Sequence, residues 1–213
     1  MRDGSWKRRD FIAAGLAVAY AGAVPAAGTP VILVVGDSLS AEYGLKRGAG
    51  WVALLEQRLA REKITAKVVN ASISGDTTSG GRSRLPALLK QHQPTHVVLE
   101  LGGNDALRGL PLANTEENLS QMAQAAQKAG ARVLVVGMQV PPNYGSDYSN
   151  RFSGLFAKVA KEHKAGLVPF LLAGVADVAD PTKLFQADRI HPREEAHPRM
   201  LDNVWPELKK LLR

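Results

Sequence analysis

A serine follows the first long apolar run of the sequence. Residues 31–35 are Val-Ile-Leu-Val-Val, and Gly-Asp-Ser-Leu-Ser comes directly after them at 36–40. A serine on a tight turn at the end of a buried strand, beside backbone N–H groups, is a candidate nucleophile for acyl transfer. The motif is not the Gly-x-Ser-x-Gly turn of α/β-hydrolases, because position 40 is Ser. Considered alone, the segment is also compatible with an ordinary turn capped by Asp37 and Ser38.

Two further segments carry groups suited to stabilising an oxyanion. Segment 71–81 is rich in glycine and hydroxyl residues, and Gly75 would let its N–H approach a ligand closely. Segment 101–105 is Leu-Gly-Gly-Asn-Asp, in which the Asn104 amide could donate to an oxygen that gains negative charge. Each segment also has a simpler interpretation, a flexible loop for the first and an Asx turn for the second.

A carboxylate and an imidazole lie three residues apart in Asp-Arg-Ile-His-Pro at 188–192. On one helical turn Asp188 and His191 would share a face, so that Asp188 holds Nδ1–H and Nε2 points outward as a base. Pro192 cannot extend a helix through its own N–H, so we expect a turn that opens into the next element. An isolated Asp-x-x-His pair is more often structural than catalytic.

Strands and helices alternate along the chain from residue 31. Runs rich in β-branched residues predict strands at 31–35, 66–70, 95–101, 131–139 and 166–170. Apolar residues at helical spacing predict helices at 51–63, 84–91, 115–129, 148–164 and 194–212. Asn114 with Glu117 three residues later predicts a helix start, and Gly130 predicts a helix end.

This alternation predicts an α/β fold with a five-stranded parallel sheet between two layers of helices, doubly wound as in flavodoxin. Reactive groups of such folds gather at the carboxyl ends of the strands. The serine, the two oxyanion candidates and the Asp/His pair all follow strands, so together they would form a complete acyl-transfer site.

These residues resemble the SGNH, or GDSL, hydrolase family, whose marks are Ser, Gly, Asn and His. Gly-Asp-Ser-Leu at 36–39 matches the nucleophile block, Gly75 the glycine block, 102–105 the asparagine block, and Asp188 with His191 the last block. Segments 69–76, 84–94, 101–109 and 141–145 look like the exported acyl-CoA thioesterase, arylesterase and lysophospholipase branch. The likeness runs from about residue 31 to residue 202.

The resemblance implies an ester and thioester hydrolase with a Ser38, His191 and Asp188 triad that works through an acyl-enzyme. The oxyanion would be held by the N–H groups of Ser38 and Gly75 and by the Asn104 side chain. Two positions depart from the branch: Glu42 replaces a small residue and Arg189 replaces the usual glycine. Neither is a triad or oxyanion group, so they bear on chain-length and head-group preference.

Four residues after the third and fourth predicted strands could line an apolar groove for the acyl chain, namely Leu107, Leu110, Pro141 and Tyr144. They are equally compatible with ordinary loop and core contacts. One alternative function is a carbohydrate O-acetyl esterase, for which only Tyr43 and Trp51 lie near Ser38 as sugar-stacking aromatics. Another is a non-catalytic lipid- or glycan-binding protein.

The histidines predict no metal site, and no cofactor is expected. His92 and His96 are four residues apart, but Pro94 between them disrupts a helical ligand pair. His163 is expected at a helix end, as a partner of the helix dipole. His197 is the rival to His191 as base, with Glu194 three residues before it.

Composition excludes several other classes of protein. The 45% hydrophobic and 22% charged content among 213 residues favours one folded domain over intrinsic disorder. The absence of cysteine excludes a disulfide scaffold and a thiol nucleophile. The net charge of +7 is dispersed and aromatics are 6%, so nucleic-acid binding is not expected. The partner would be a small acyl ester or thioester; oligomeric state stays open, with a monomer as one expectation.

The first 27 residues have the layout of an export signal. Lys7-Arg8-Arg9 precedes an apolar stretch at 11–24, and Pro-Ala-Ala-Gly at 25–28 offers a cleavage site. The stretch is too short for a permanent membrane span, which needs about 20 apolar residues. The arginine pair favours a twin-arginine signal, with an ordinary Sec signal as the alternative. We therefore expect a periplasmic or secreted hydrolase domain at 28–213.

Overall fold

The computed structural model describes Met1 and residues 28–213. The predicted export signal at 1–27, apart from Met1, lies outside the described residues. No helix within 28–213 is long and apolar enough to cross a membrane.

Five parallel strands form one sheet. They are Val31–Gly36 (β1), Lys67–Asn70 (β2), His96–Glu100 (β3), Arg132–Val136 (β4) and Gly166–Val168 (β5). Their order across the sheet is β2-β1-β3-β4-β5, and all neighbouring strands pair in parallel. The predicted doubly wound α/β fold is confirmed, and each strand begins within one residue of its predicted start.

Helices cover both faces of the sheet. They are Trp51–Arg61 (α1), Thr78–His92 (α2), Gly103–Leu107 (α3), Leu112–Lys128 (α4), Ser146–Glu162 (α5) and His197–Leu211 (α6). Helices α1 and α6 pack together on one face, whereas α2, α4 and α5 pack side by side on the other. The apolar residues of β1 and β3 are therefore buried from both sides, which explains the continuous apolar runs at 31–35 and 97–99.

Helix α2 begins at Thr78, six residues before the predicted start at position 84. Its first turn contains Gly80 and Gly81, which disfavour a helix in isolation. Tertiary packing overrides that preference, because a Cβ at position 81 would collide with Leu101. The Thr77 side chain caps the helix by accepting a bond from the N–H of Gly80.

Two other helix predictions also differ from the structure. Helix α4 begins at Leu112 after Pro111, so the prediction that Asn114 starts this helix is wrong. Pro111 explains the earlier start, because its fixed φ suits the residue that enters a helix. The five-residue helix α3 was not predicted, since it is too short to show an apolar period. Gly130 does end α4, with a left-handed φ of 86°.

The sheet reverses its winding direction between β1 and β3. Connections leave the two strands toward opposite faces there, which opens a crevice at their carboxyl ends. The segments that carry Ser38 and Asn104 follow these two strands. The fold therefore places both segments at the point where such sheets bind ligands.

Candidate active site

Ser38 lies in a turn held by the end of β1. The N–H groups of Ser40 and Ala41 both donate to the carbonyl of Asp37, at 3.2 and 2.9 Å. Gly36 is essential to this geometry, since a Cβ there would lie 2.8 Å from Glu100 Oε2. Ser38 itself is half-buried, so its hydroxyl stands at the surface of a rigid turn.

Asp188 and His191 lie on a non-helical turn, so the expectation that a helical turn aligns them is wrong. An antiparallel bridge between Phe185 and Pro192 closes the loop. One oxygen of Asp188 accepts the backbone N–H groups of Ile190 and His191, at 2.9 and 3.0 Å. This Asx-type turn brings the two side chains together without the period of a helix.

The serine, the imidazole and the carboxylate form one hydrogen-bonded chain. Ser38 Oγ lies 2.9 Å from His191 Nε2, and His191 Nδ1 lies 2.7 Å from Asp188 Oδ2. Burial acts to raise the pKa of Asp188, but hydrogen bonds from the His191 ring and from two backbone N–H groups lower it to about 2. The ionised carboxylate only accepts hydrogen bonds, so Nδ1 carries the proton and Nε2 can accept from the serine.

The two predicted oxyanion segments adjoin the serine turn. The N–H of Ile73 donates to the carbonyl of Gly36 at 3.0 Å, which fixes the loop after β2 beside the turn. Gly75 has a left-handed φ of 79°, which its lack of a side chain permits. The Asn104 side chain reaches Asp37, with Nδ2 donating to Oδ2 at 3.1 Å. The fold thus gathers at one edge all the residues predicted for the triad and the oxyanion hole.

Comparisons with known proteins agree with this arrangement. Residues 34–199 match the model of the GDSL-like Lipase/Acylhydrolase family. The chain belongs to this family. As a member of it, the protein is an ester hydrolase.

Curated relatives and a solved structure are similar over most of the chain. Esterase TesA of Pseudomonas aeruginosa is 54% identical over 186 residues, covering 87% of this chain and 91% of that protein. Thioesterase 1/protease 1/lysophospholipase L1 of Escherichia coli K12 is 43% identical over 187 residues, covering 88% and 87%. A crystal structure of TesA has a TM-score of 0.82 at 55% identity, covering 85% of this chain and 99% of that one.

The apolar groove residues predicted for this GDSL-like hydrolase follow β3 and β4, at the same edge of the sheet as the triad. Leu107 and Leu110 are 48% and 37% exposed, which is unusual for leucine beside a large core. Tyr144 is half-buried in a 3-10 helix and contacts Tyr148, and Pro141 is exposed just before it. Further exposed apolar side chains lie after β1, after β2 and on the loop that carries Asp188, namely Tyr43, Ile73 and Ile190.

The rival histidine, His197, is buried at the start of α6. Its Nδ1 accepts the backbone N–H of Trp51 at 3.0 Å, which joins the starts of α1 and α6. Burial lowers the pKa of His197 to about 4. Its ring therefore serves packing and does not contact Ser38.

The other histidines lie away from the triad. His96 is buried in β3 and bonds to the carbonyl of Leu211, while His163 caps α5 and bonds to Ser120 across to α4. Within residues 28–213, no group of three or more histidine, aspartate or glutamate side chains is placed to hold a metal ion.

The two departures from the family branch have different structural roles. Glu42 folds back and accepts the N–H groups of Gly48 and Gly50, at 2.8 to 3.1 Å, so it braces a surface loop. The expectation that Glu42 bears on the substrate groove gains no support from these contacts. Arg189 occupies the turn between Asp188 and His191 with a left-handed φ of 58°, which explains why glycine is usual there.

Part of the segment 71–81, for which a flexible loop was one interpretation, is helical. Residues 78–81 form the first turn of α2, and Thr78 N–H and Oγ1 both donate to the buried carboxylate of Asp105, at 2.9 and 2.5 Å. Arg108 also donates to the carbonyl of Gly75, at 2.7 Å. These hydrogen bonds hold the segment that contains Gly75 against the segment that contains Asn104.

The sequence analysis did not predict that Asp37 and Glu100 form a buried acid pair beneath the serine turn. Glu100 Oε2 accepts a bond from Ser40 Oγ at 2.6 Å and faces the N–H of Asp37 at 3.4 Å. Trp51 Nε1 in turn donates to Ser40 Oγ at 3.2 Å. Glu100 follows the apolar run 97–99 within β3, and a charged residue directly after such a run was the available signal.

Proposed function

We propose that the protein hydrolyses carboxylic esters and acyl thioesters through Ser38, His191 and Asp188. The observation that carries this proposal is the continuous chain of hydrogen bonds from Ser38 Oγ through the imidazole to Asp188 Oδ2. Its position at the carboxyl ends of β1 and β3, where the sheet reverses its winding direction and such sheets bind ligands, adds support.

In the first half of the reaction, Ser38 Oγ attacks the acyl carbonyl and gives its proton to His191 Nε2. The tetrahedral intermediate collapses as the bond to the leaving alkoxide or thiolate breaks and Nε2 returns the proton to it. Water then attacks the acyl-enzyme, again with His191 as base, and releases the acid and free Ser38. Asp188 orients the imidazole and stabilises its charged form throughout.

The negative charge on the carbonyl oxygen would be held by the N–H groups of Ser38 and Gly75 and by Asn104 Nδ2. Each such donor is worth about a hundredfold in turnover. Gly75 fits this role because its left-handed backbone is fixed by Arg108 on one side and by the start of α2 on the other.

The substrate would carry a medium or long acyl chain. The exposed side chains of Leu107 and Leu110, with Tyr144 and Pro141 after β4, offer apolar surface at the same edge of the sheet as Ser38. The names of the relatives support thioester and lysophospholipid substrates, and the arylesterase activity of the resembled branch fits the same site.

The alternative of a carbohydrate O-acetyl esterase has less support. Trp51 is fully buried and its indole N–H is bonded to Ser40, so it cannot stack on a sugar. Tyr43 packs against His191. A non-catalytic binding protein would have no need for the aligned triad.

The deciding experiment is hydrolysis of p-nitrophenyl esters of two to sixteen carbons and of a medium-chain acyl-CoA. The purified mature protein is compared with Ser38→Ala, and Ser83→Ala on the exposed face of α2 serves as matched control. We expect a maximum at medium or long chains that is lost in Ser38→Ala alone. Activity confined to the acetyl ester would favour the deacetylase, and normal turnover by Ser38→Ala would overturn the serine mechanism.

We also propose that residues 1–27 direct export to the periplasm or medium, by the twin-arginine route. Acyl-CoA would then be a substrate the enzyme can use rather than its natural one. Cell fractionation of the full-length protein, with a variant carrying Arg8→Lys and Arg9→Lys, tests the proposal. Retention of the variant precursor in the cytosol supports the twin-arginine route, while unchanged export points to the Sec route. Wild-type precursor as the stable cytosolic species would refute export.

A further inference from the structure

Asp37 is a buried carboxylate beside the nucleophile that the triad mechanism leaves without a role. It is only 2% exposed. Its Oδ1 accepts the N–H of Leu39 at 3.0 Å, within the serine turn. Its Oδ2 accepts the Asn104 amide at 3.1 Å, across from β1 to α3.

The chemistry of the two groups restricts how Asn104 can lie. The two ends of an amide have nearly the same shape, but one end donates two hydrogen bonds and the other only accepts. An ionised carboxylate can only accept, so the NH₂ end of Asn104 must face Asp37. One Nδ2–H is used in that bond, and the second N–H remains for another acceptor.

We propose that Asp37 is a positioning residue for the oxyanion hole: it selects the amide orientation of Asn104 that keeps an N–H available to the reacting carbonyl. The inference rests on the proposed oxyanion role of Asn104. A flipped amide would present its oxygen to the oxyanion and repel it, so the orientation matters for the transition state more than for substrate binding.

The charges around Asp37 decide the pH range in which Asp37 is ionised and can select the amide orientation of Asn104. Asp76 after β2 and His191 before α6 act on it electrostatically, Glu100 on β3 faces its backbone N–H, and Asn104 on α3 contacts it directly. Burial raises the pKa of Asp37 to about 6, with hydrogen bonds from Leu39 and Asn104 opposing the rise. Burial and the neighbouring Asp37 charge raise the pKa of Glu100 well above its usual value. Glu100 therefore keeps its proton while Asp37 becomes the anion.

A double-mutant cycle with Asp37→Asn and Asn104→Ala tests the coupling. Asp37→Asn keeps the size of the side chain and an oxygen that can accept the Leu39 N–H. Its own amide can both donate and accept, so it no longer selects which end of the Asn104 amide faces it. We expect kcat on a p-nitrophenyl ester at pH 8 to fall about tenfold with KM within about twofold, and to fall less than about twofold when Asn104 is already alanine. Equal losses in both backgrounds would overturn the proposal, because Asp37 would then act on the serine turn alone.

Two single variants separate this proposal from the proposed function. Loss of activity in Ser38→Ala together with full activity in Asp37→Asn would overturn the positioning role and leave the serine mechanism intact. Full activity in Asn104→Ala would remove the oxyanion role of Asn104 and the positioning role with it. Thermal unfolding of each variant shows whether a loss of kcat follows loss of fold.

The pH profile gives a second readout that a structural role would not change. Neutral His191 would be required and ionised Asp37 would raise activity about tenfold, so log kcat/KM of the wild type should fall more steeply than a slope of one around pH 6, by about one extra log unit. The slope should be one in Asp37→Asn, and an unchanged slope would contradict the proposal. If that variant does not fold, the Asn104 side-chain amide signals of His191→Gln are followed by NMR. A titration near pH 6 supports the contact, and pH-independent signals overturn it.

Discussion

The ring of Tyr43 lies 4.3 Å from the imidazole of His191, with the two planes inclined at 38°. Tyr43 lies five residues after Ser38, so the segment that presents the nucleophile also supports the base. The backbone carbonyl of Tyr43 accepts the Gln186 side chain at 2.9 Å, which fastens the same segment to the loop of Asp188. An aromatic face beside the ring favours the imidazolium that forms during acyl transfer.

Replacing Tyr43 by alanine should lower kcat about three- to tenfold, because a cation–π contact at a half-exposed site is worth about 1 kcal/mol. Tyr43→Phe keeps the aromatic face and should retain nearly full kcat. Steady-state kinetics on a short soluble ester measure both. Equal losses in the two variants would assign the effect to the phenol hydroxyl instead.

The turn at Arg189 should be stabilised by glycine. An L-residue at a φ of 58° carries backbone strain of about 1 kcal/mol, which glycine relieves, although glycine gains freedom in the unfolded chain. We expect Arg189→Gly to raise the Tm by about 2 °C. Arg189→Ala removes the same side chain but keeps the strained Cβ, and its Tm should stay near that of the wild type. Identical Tm values for the two variants would show that the backbone strain is not the cause.

Loss of the buried carboxylate of Asp105 should destabilise the junction of α2, α3 and α4. Besides Thr78, it accepts the Thr115 hydroxyl at 3.4 Å, and Asn118 donates to Thr78 Oγ1 at 3.0 Å. Asp105→Ala would leave these donors unsatisfied, at a cost of about 3 kcal/mol, or about 6–12 °C in Tm. Asp147→Ala, at an exposed position in α5, is the matched control and should change the Tm by less than about 3 °C. A small effect of Asp105→Ala would mean that water replaces the carboxylate.

The buried acid pair should make the fold less stable as pH rises. The pKa values of Asp37 and Glu100 are raised in the folded protein, so the folded state binds more protons than the unfolded state above pH about 4. Their contribution to stability is present at low pH and is lost as pH rises through the folded-state values. Glu100→Gln removes one of these groups and should gain Tm relative to the wild type between pH 5 and 8, by roughly 3 °C at pH 8. Parallel Tm curves for the two proteins would contradict this assignment.

The local sequence was sufficient to predict the sheet. A strand buried on both faces needs a run of apolar residues, and the predicted strands 31–35 and 95–101 contain one, at 31–35 and 97–99, so their starts were predicted within a residue. The residue types that follow the strands were also enough to predict the chemistry. Ser38, Gly75, Asn104 and the Asp188/His191 pair are suited to acyl transfer wherever the chain brings them together.

Local pattern was insufficient where a distant contact overrides an intrinsic preference. Glycines 80 and 81 argued for a loop, yet they lie in a helix because α2 must approach Leu101 closely. The helical turn expected for Asp188 and His191 is replaced by an Asx-type turn, because the bridge between Phe185 and Pro192 closes the loop.

The amino-acid sequence by itself determined the alternation of strands and helices and the set of reactive groups at the strand ends. Residue types and spacing left His191 and His197 as rivals, and only the family resemblance favoured His191; tertiary structure brings His191 to Ser38 across 153 residues and buries His197 against α1. It also decided that Asp37 lies between Glu100 and Asn104, more than 60 residues away. The physical reason is that the spacing of apolar residues within a segment decides whether that segment forms a helix or a strand. Contacts between residues more than 60 positions apart depend instead on how the helices and strands pack together.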